Sequence, residues 1–113
     1  MRSKKLSEIR NRVIESLEKL AEDLGAEIYL FGSYASQTHT LHSDVDILVV
    51  SNKFEGLPFY KRVEIVRTKL PRDIGFDIIA LTPRELESRK ERAFYREISQ
   101  YWIKIRKNKY SSE

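Results

Sequence analysis

Residues 31–50 read FGSYASQTHTLHSDVDILVV: a Gly-Ser pair closing one apolar run, ten intervening residues, then Asp-Val-Asp opening a second run. Asp44 and Asp46 are two residues apart, so on a strand both point to one face, about 6.8 Å apart along the chain. Two carboxylates placed in this way can converge on Mg²⁺. Gly32 allows backbone to approach a ligand closely. The N–H groups around Ser33 and Tyr34 at a helix start, with the Ser33 hydroxyl, can bind phosphate.

Working outward, AEIYLF (26–31) reads as a strand that turns at Gly32-Ser33 into a short helical turn near 34–37, followed by loop over 38–43. Before it, Leu6, Ile9, Val13, Leu17, Leu20 and Leu24 recur at helical spacing, and Gly25 stops the run, which predicts an amphipathic helix over 5–24. After it, residues 44–51 form a strand that is apolar on both faces and therefore central. Pro58 suits a helix start, with Val63, Val66 and Leu70 as the buried stripe and Pro71 as the stop. FDIIAL (76–81) is a third strand. Thr82-Pro83-Arg84-Glu85 then has the form of a capping box opening a helix from 83 to about 97. In the segment 98–106, Tyr101, Ile103 and Ile105 alternate as in a strand while Ile98, Trp102 and Ile105 also fit a helix; an edge strand is the expectation.

A helix between two strands makes a crossover, which runs the second and third strands parallel and brings Asp77 to the same end as Asp44 and Asp46. The short connection from Gly32-Ser33 makes the first two strands antiparallel neighbours, so the Gly-Ser turn faces the carboxylates. Three carboxylates in one place would repel and raise each other's pKa unless divalent cations lay between them. Singly, each feature has a plain explanation: an Asp-x-Asp is usually a solvated strand start, a Gly-Ser pair is usually a turn, and Asp77 could be a surface residue beside Gly75. Their order and spacing together favour an active site. His39 and His42 are expected to face solvent in the loop, and Tyr29, Phe31, Tyr95 and Trp102 to pack in or at the edge of the core.

At 113 residues the chain is expected to form a single domain, with a basic tail at 107–113. The absence of cysteine excludes disulfides and thiolate metal sites and leaves only two histidines for soft metals, so a metal site is expected to be built from oxygen. No apolar stretch nears the roughly 20 residues that cross a bilayer, and the N-terminus lacks a signal-peptide core; a soluble, cytoplasmic protein is expected. The net charge is +4, and residues 84–109 hold nine Lys or Arg against four Glu. That excess could serve phosphates, a nucleic acid or an acidic partner, or be a solvated helix face.

With Gly32-Ser33, ten residues, Asp44-Val45-Asp46, and Asp77 within FDIIAL, the chain resembles the nucleotidyltransferase superfamily that includes the DNA polymerase beta palm, most closely its minimal stand-alone branch, over about residues 26–83. The resemblance implies an α/β (α+β) fold, a small mixed sheet of three to four strands with helices packed on it. It implies that Asp44, Asp46 and Asp77 hold two Mg²⁺ ions and carry the chemistry, that Gly32, Ser33 and Tyr34 grip a nucleoside triphosphate, and that a nucleoside monophosphate passes to a hydroxyl with release of pyrophosphate. Small members are similar to the antitoxin partners of HEPN-domain toxins, which implies AMP from ATP and a separate protein as acceptor. Many relatives follow Gly-Ser with a residue, Ala, Arg and Gly; here Ala35 is kept, while Ser36 and Gln37 occupy the Arg and Gly places. That departure leaves two alternatives: a partner-binding scaffold with little turnover, or a transferase directed at nucleic acid through the basic C-terminal segment.

Overall fold

The computed structural model describes residues 3–106; the basic tail 107–113 lies outside them. The elements run α1 (Lys4–Leu24), β1 (Glu27–Phe31), α2 (Gly32–Ser36), β2 (Val45–Val50), α3 (Phe59–Thr68), β3 (Phe76–Leu81), α4 (Pro83–Arg89), α5 (Ala93–Ser99) and β4 (Ile103–Ile105), with a 3₁₀ turn at Asn52–Phe54. The sheet order is β3-β2-β1-β4. β1 is antiparallel to both β2 and β4, and β2 is parallel to β3, as the crossover through α3 requires. The expected edge strand is present but short.

Alternation along the strands separates two layers of helices. Ile28, Leu30, Val45, Ile47, Val49 and Ala80 point to one face, against Val13, Leu17, Leu20, Ala21 and Leu24 of α1 and Val66 of α3. Each large side chain there contributes about 1.5–3 kcal/mol through burial. On the opposite face, Phe31, Leu48, Val50 and Leu81 pack with Ile98, Leu86, Tyr95 and Trp102, and Tyr29 stacks on Trp102 at 4.2 Å. This second layer is the thinner one, and Asp46 and Asp77 share its face.

The helix expected from 83 to about 97 is in fact two helices. Arg92 is extended (φ −72°, ψ 148°) and starts α5 afresh. One straight helix would carry Tyr95 and Ile98 off the sheet; the break lets residues of both α4 and α5 cover it. The capping box does form: the Glu85 N–H donates to Thr82 Oγ1 (3.2 Å) and the Thr82 N–H to Glu85 Oε1 (2.9 Å).

In α3 the buried stripe is Arg62, Val66 and the following Leu70, while Val63 is only half-buried. Arg62 is 6% exposed and donates to the Leu57 and Ala80 carbonyls (2.8 and 3.0 Å) and to both Glu85 carboxylate oxygens (2.6 and 3.1 Å). It ties α3, β3 and α4 together. Gly75 O and Leu81 O face β2, so the carbonyls of Phe76 and Ala80 lie on the outer edge of β3. Arg67 takes the first (3.3 Å) and Arg62 the second, which blocks pairing of that edge with another strand.

Candidate active site

The end of the sheet where β1 stops and β2 and β3 begin gathers the acidic residues. Phe31 is opposite Asp46 in the antiparallel pair, and Asp46 is beside Asp77 in the parallel pair. Asp44 precedes β2, and its carboxylate lies against Gly75, at the entry to β3. Gly32 has φ +73°, and a Cβ there would run into the Asp46 carboxylate, whose Cγ would be 3.0 Å away. A Cβ on Gly75 would likewise run into the Asp44 carboxylate. Two glycines thus leave the space that two of the aspartates occupy.

Asp46 is half-buried, while Asp44 and Asp77 are exposed. Burial, then the charge and hydrogen bond of Asp77, then the charge of Asp44 push the Asp46 carboxyl up to about 6. A carboxylate so crowded gains from any cation brought beside it. Among the described residues, no group of three or more His, Cys, Asp or Glu is already drawn together as a metal-binding cluster. The oxygen-only donors and the glycine-cleared space nonetheless fit a hard divalent ion that completes its shell with water and phosphate oxygens.

The Gly-Ser turn opens α2, whose start has no side-chain cap. The N–H groups of its first turn therefore lack the partner that a capping residue would supply. Ser33 is half-buried beside them. The Tyr34 side chain is fully buried in the α1 layer, so only its backbone belongs to the turn. Arg10 of α1 holds the turn from behind, donating from Nε to the Tyr34 carbonyl (3.1 Å).

His39 departs from expectation. Only 2% exposed, it stacks on Tyr34 at 4.2 Å and its Nε2 lies 3.2 Å from the Leu6 carbonyl, folding the loop back onto α1; His42 is exposed. Gln37 stands where many relatives have Gly and keeps the left-handed backbone (φ +60°) that glycine favours. Ser36, in the Arg place, bonds within its own segment, 2.8 Å from Thr38 Oγ1. With Ser36 and Gln37 the turn 32–37 carries no cationic side chain of its own. Sequence reasoning missed Arg10 and the burial of His39, whose partners are 24 and 33 residues away.

A family model for the nucleotidyltransferase domain matches residues 10–109. The chain belongs to that family. A candidate nucleotidyltransferase from Sulfolobus solfataricus, known as a crystal structure at 1.40 Å resolution, is similar in fold, with a TM-score of 0.59 and 24% identity over 77% of this chain and 82% of that one. No curated protein matches the sequence. This nucleotidyltransferase is therefore a transferase acting on a nucleoside triphosphate. Among the described residues no helix is long and apolar enough to cross a membrane.

Proposed function

We propose that the chain transfers AMP from ATP to a hydroxyl on a partner protein, using Asp44, Asp46 and Asp77 as the acidic centre and the Gly32-Ser33-Tyr34 turn as the phosphate grip. The observation that carries the reading is the contact between the two: Gly32 lies directly against Asp46, which neighbours Asp77 across the parallel strands. Asp44, Asp46 and Asp77 would hold two Mg²⁺ ions, which when bound neutralise charge on the phosphates and orient them.

The chain's own residues do the rest. Ser33 and the uncapped N–H groups of α2 hold the β and γ phosphates, fixing the α-phosphorus beside β2. Asp77, exposed on the edge strand β3, accepts the proton of the attacking hydroxyl. The acceptor oxygen forms its bond to the α-phosphorus as the bond from that phosphorus to the bridging oxygen breaks, and pyrophosphate leaves with the electron pair. ATP as donor and a HEPN-domain protein as acceptor rest on the resemblance to the small partner-modifying members.

The test compares melting of wild type and the Asp44→Asn, Asp46→Asn double variant with Mg²⁺ and each of ATP, GTP, CTP and UTP. Saturation at 100 times Kd stabilises by about 2.7 kcal/mol, roughly 11 °C for a domain of this size. A metal-dependent rise with ATP in wild type alone supports the reading. Transfer of label from α-labelled ATP to a co-purified partner then identifies the acceptor. Absence of any nucleotide effect would favour a binding scaffold.

A further inference from the structure

Among the described residues, five large apolar side chains are exposed, Leu41, Phe59, Tyr60, Phe94 and Tyr101. Scattered exposure of this kind is ordinary, but Phe94 differs by its place. Phe31 is the register partner of Asp46, and directly opposed residues of an antiparallel pair project to the same face with Cβ atoms about 4.5–5.5 Å apart. The Phe94 ring stands 5.9 Å from the Phe31 ring at 82°, and 5.1 Å from that of Tyr95 at 87°. Asp46, Phe31 and Phe94 therefore form a continuous path out of the acidic centre.

Phe94 is 47% exposed, and both its aromatic neighbours meet it perpendicularly, so among the described residues no ring lies parallel on it. Phe59 offers a contrast. It is equally exposed, but Arg62 and Arg89 sit 5.4 and 5.8 Å from its centroid, and it begins α3, which follows β2 and so lies towards the other end of the sheet. The break at Arg92 that starts α5 anew is what sets Phe94 beside Phe31.

We propose that Phe94, backed by Phe31, is the surface on which the base of the donor nucleotide stacks. This rests on the reading of Asp44, Asp46 and Asp77 as the centre that holds the triphosphate. With the phosphates there, a ribose separates the α-phosphate from its base as Phe31 separates Asp46 from Phe94. Stacking on a ring face is available to any base and costs the rigid side chain little entropy. The platform supplies affinity for all four nucleotides, more for purines with their larger ring area, while selection among bases belongs to other contacts.

The test measures binding of Mg²⁺ with ATP, with UTP and with inorganic tripolyphosphate to the full chain, for wild type, Phe94→Ala, Phe94→Leu and Phe94→Trp, with melting temperature as the check on folding. Base stacking is worth about 1–3 kcal/mol by alanine substitution, so Phe94→Ala and Phe94→Leu are expected to weaken ATP by at least about fivefold and UTP by less. Phe94→Trp should bind ATP at least as well as wild type, and tripolyphosphate should be unaffected throughout. Unchanged ATP binding in a folded Phe94→Leu variant, or an equal loss for tripolyphosphate, overturns the inference and leaves the triphosphate site standing. A wild type that binds neither ligand overturns both.

Discussion

Three glycines allow the geometry of the acidic centre to be tested with backbone strain separated from steric displacement. Gly56 has φ +80° and open space around its missing Cβ; Gly75 has an ordinary φ, but its Cβ would meet the Asp44 carboxylate; Gly32 combines φ +73° with a Cβ that meets Asp46. For Gly56→Ala the left-handed penalty of roughly 1–2 kcal/mol is offset in part by roughly 0.4–1 kcal/mol from the more restricted unfolded chain, leaving about 1 kcal/mol. At about 2.1 cal/mol/K per residue the unfolding entropy is about 0.24 kcal/mol/K, so the melting point falls by about 4 °C. Gly75→Ala carries no such strain and loses unfolded-state entropy, which makes its stability nearly neutral. Its cost is functional, since the exposed Asp44 carboxylate must swing aside.

Gly32→Ala carries both costs, and Asp46 has less freedom to yield because it is half-buried beside Asp77. A displacement of about 1 Å at a reacting centre lowers rates by roughly 100-fold. The assays are thermal melting without ligand and nucleotide turnover, followed as pyrophosphate release, with calorimetric titration of Mg²⁺-nucleotide. The expected order in stability is wild type and Gly75→Ala, then Gly56→Ala, then Gly32→Ala. The expected order in turnover is wild type and Gly56→Ala, then Gly75→Ala, with Gly32→Ala lowest. A Gly32→Ala variant that binds nucleotide within threefold of wild type and turns over normally would refute the argument that Gly32 clears the space for Asp46.

The hydrogen bond from Arg62 holds the Glu85 carboxyl at about 2, below its ordinary 4.5. A depressed carboxyl contributes stability that is present above 4.5 and is lost as pH falls towards 2. After discounting for the third of its side chain open to solvent, this is about 1–2 kcal/mol, so Glu85→Gln should melt about 4–8 °C below wild type at pH 7 with the gap closing by pH 2, as read by melting across that range. Gln37→Gly removes a left-handed non-glycine residue and is expected to raise stability by up to about 1 kcal/mol in denaturant titration without altering the loop. Asp46→Asn, measured in EDTA, should raise the melting point by about 1–4 °C because neighbouring like charges on paired strands cost about 0.2–1 kcal/mol, while Mg²⁺-dependent nucleotide binding is lost in the same variant.

What could be read from sequence was local pattern with one consistent answer. Strand alternation in VDILVV and FDIIAL fixes the faces, the helix between them fixes the parallel pairing, and the adjacency of Asp46 and Asp77 follows from these two alone. The capping box at Thr82 is equally local. The break at Lys90–Arg92 was not legible, because Glu87 to Arg92 contains no Gly or Pro and is rich in good helix formers. Burial of Tyr95 and Ile98 on the sheet outweighs that propensity, and only the packed structure reveals it. Arg62 at four residues before Val66 lies on the stripe by spacing, yet its charge argues for solvent until the carbonyls of Leu57 and Ala80 and the Glu85 carboxylate are in place.

The same division bears on the candidate active site. Its acidic half is set by residues within β2 and at the start of β3, where period-two geometry leaves little freedom. The remainder depends on segments whose position is decided at a distance: α1 through Arg10 and the Leu6 carbonyl, and α5 through its packing against Leu48, Val50 and Leu81. With Ser36 in the place of the usual Arg the turn carries no cation of its own, while Gln37 holds a left-handed backbone at an energetic cost. A left-handed backbone at a non-glycine residue is held by what the surrounding loop must reach. In this chain that backbone brings Gly32 against Asp46, so under the proposed function metal and phosphate binding depend on the path of the loop and Ser36→Gly should leave them unchanged.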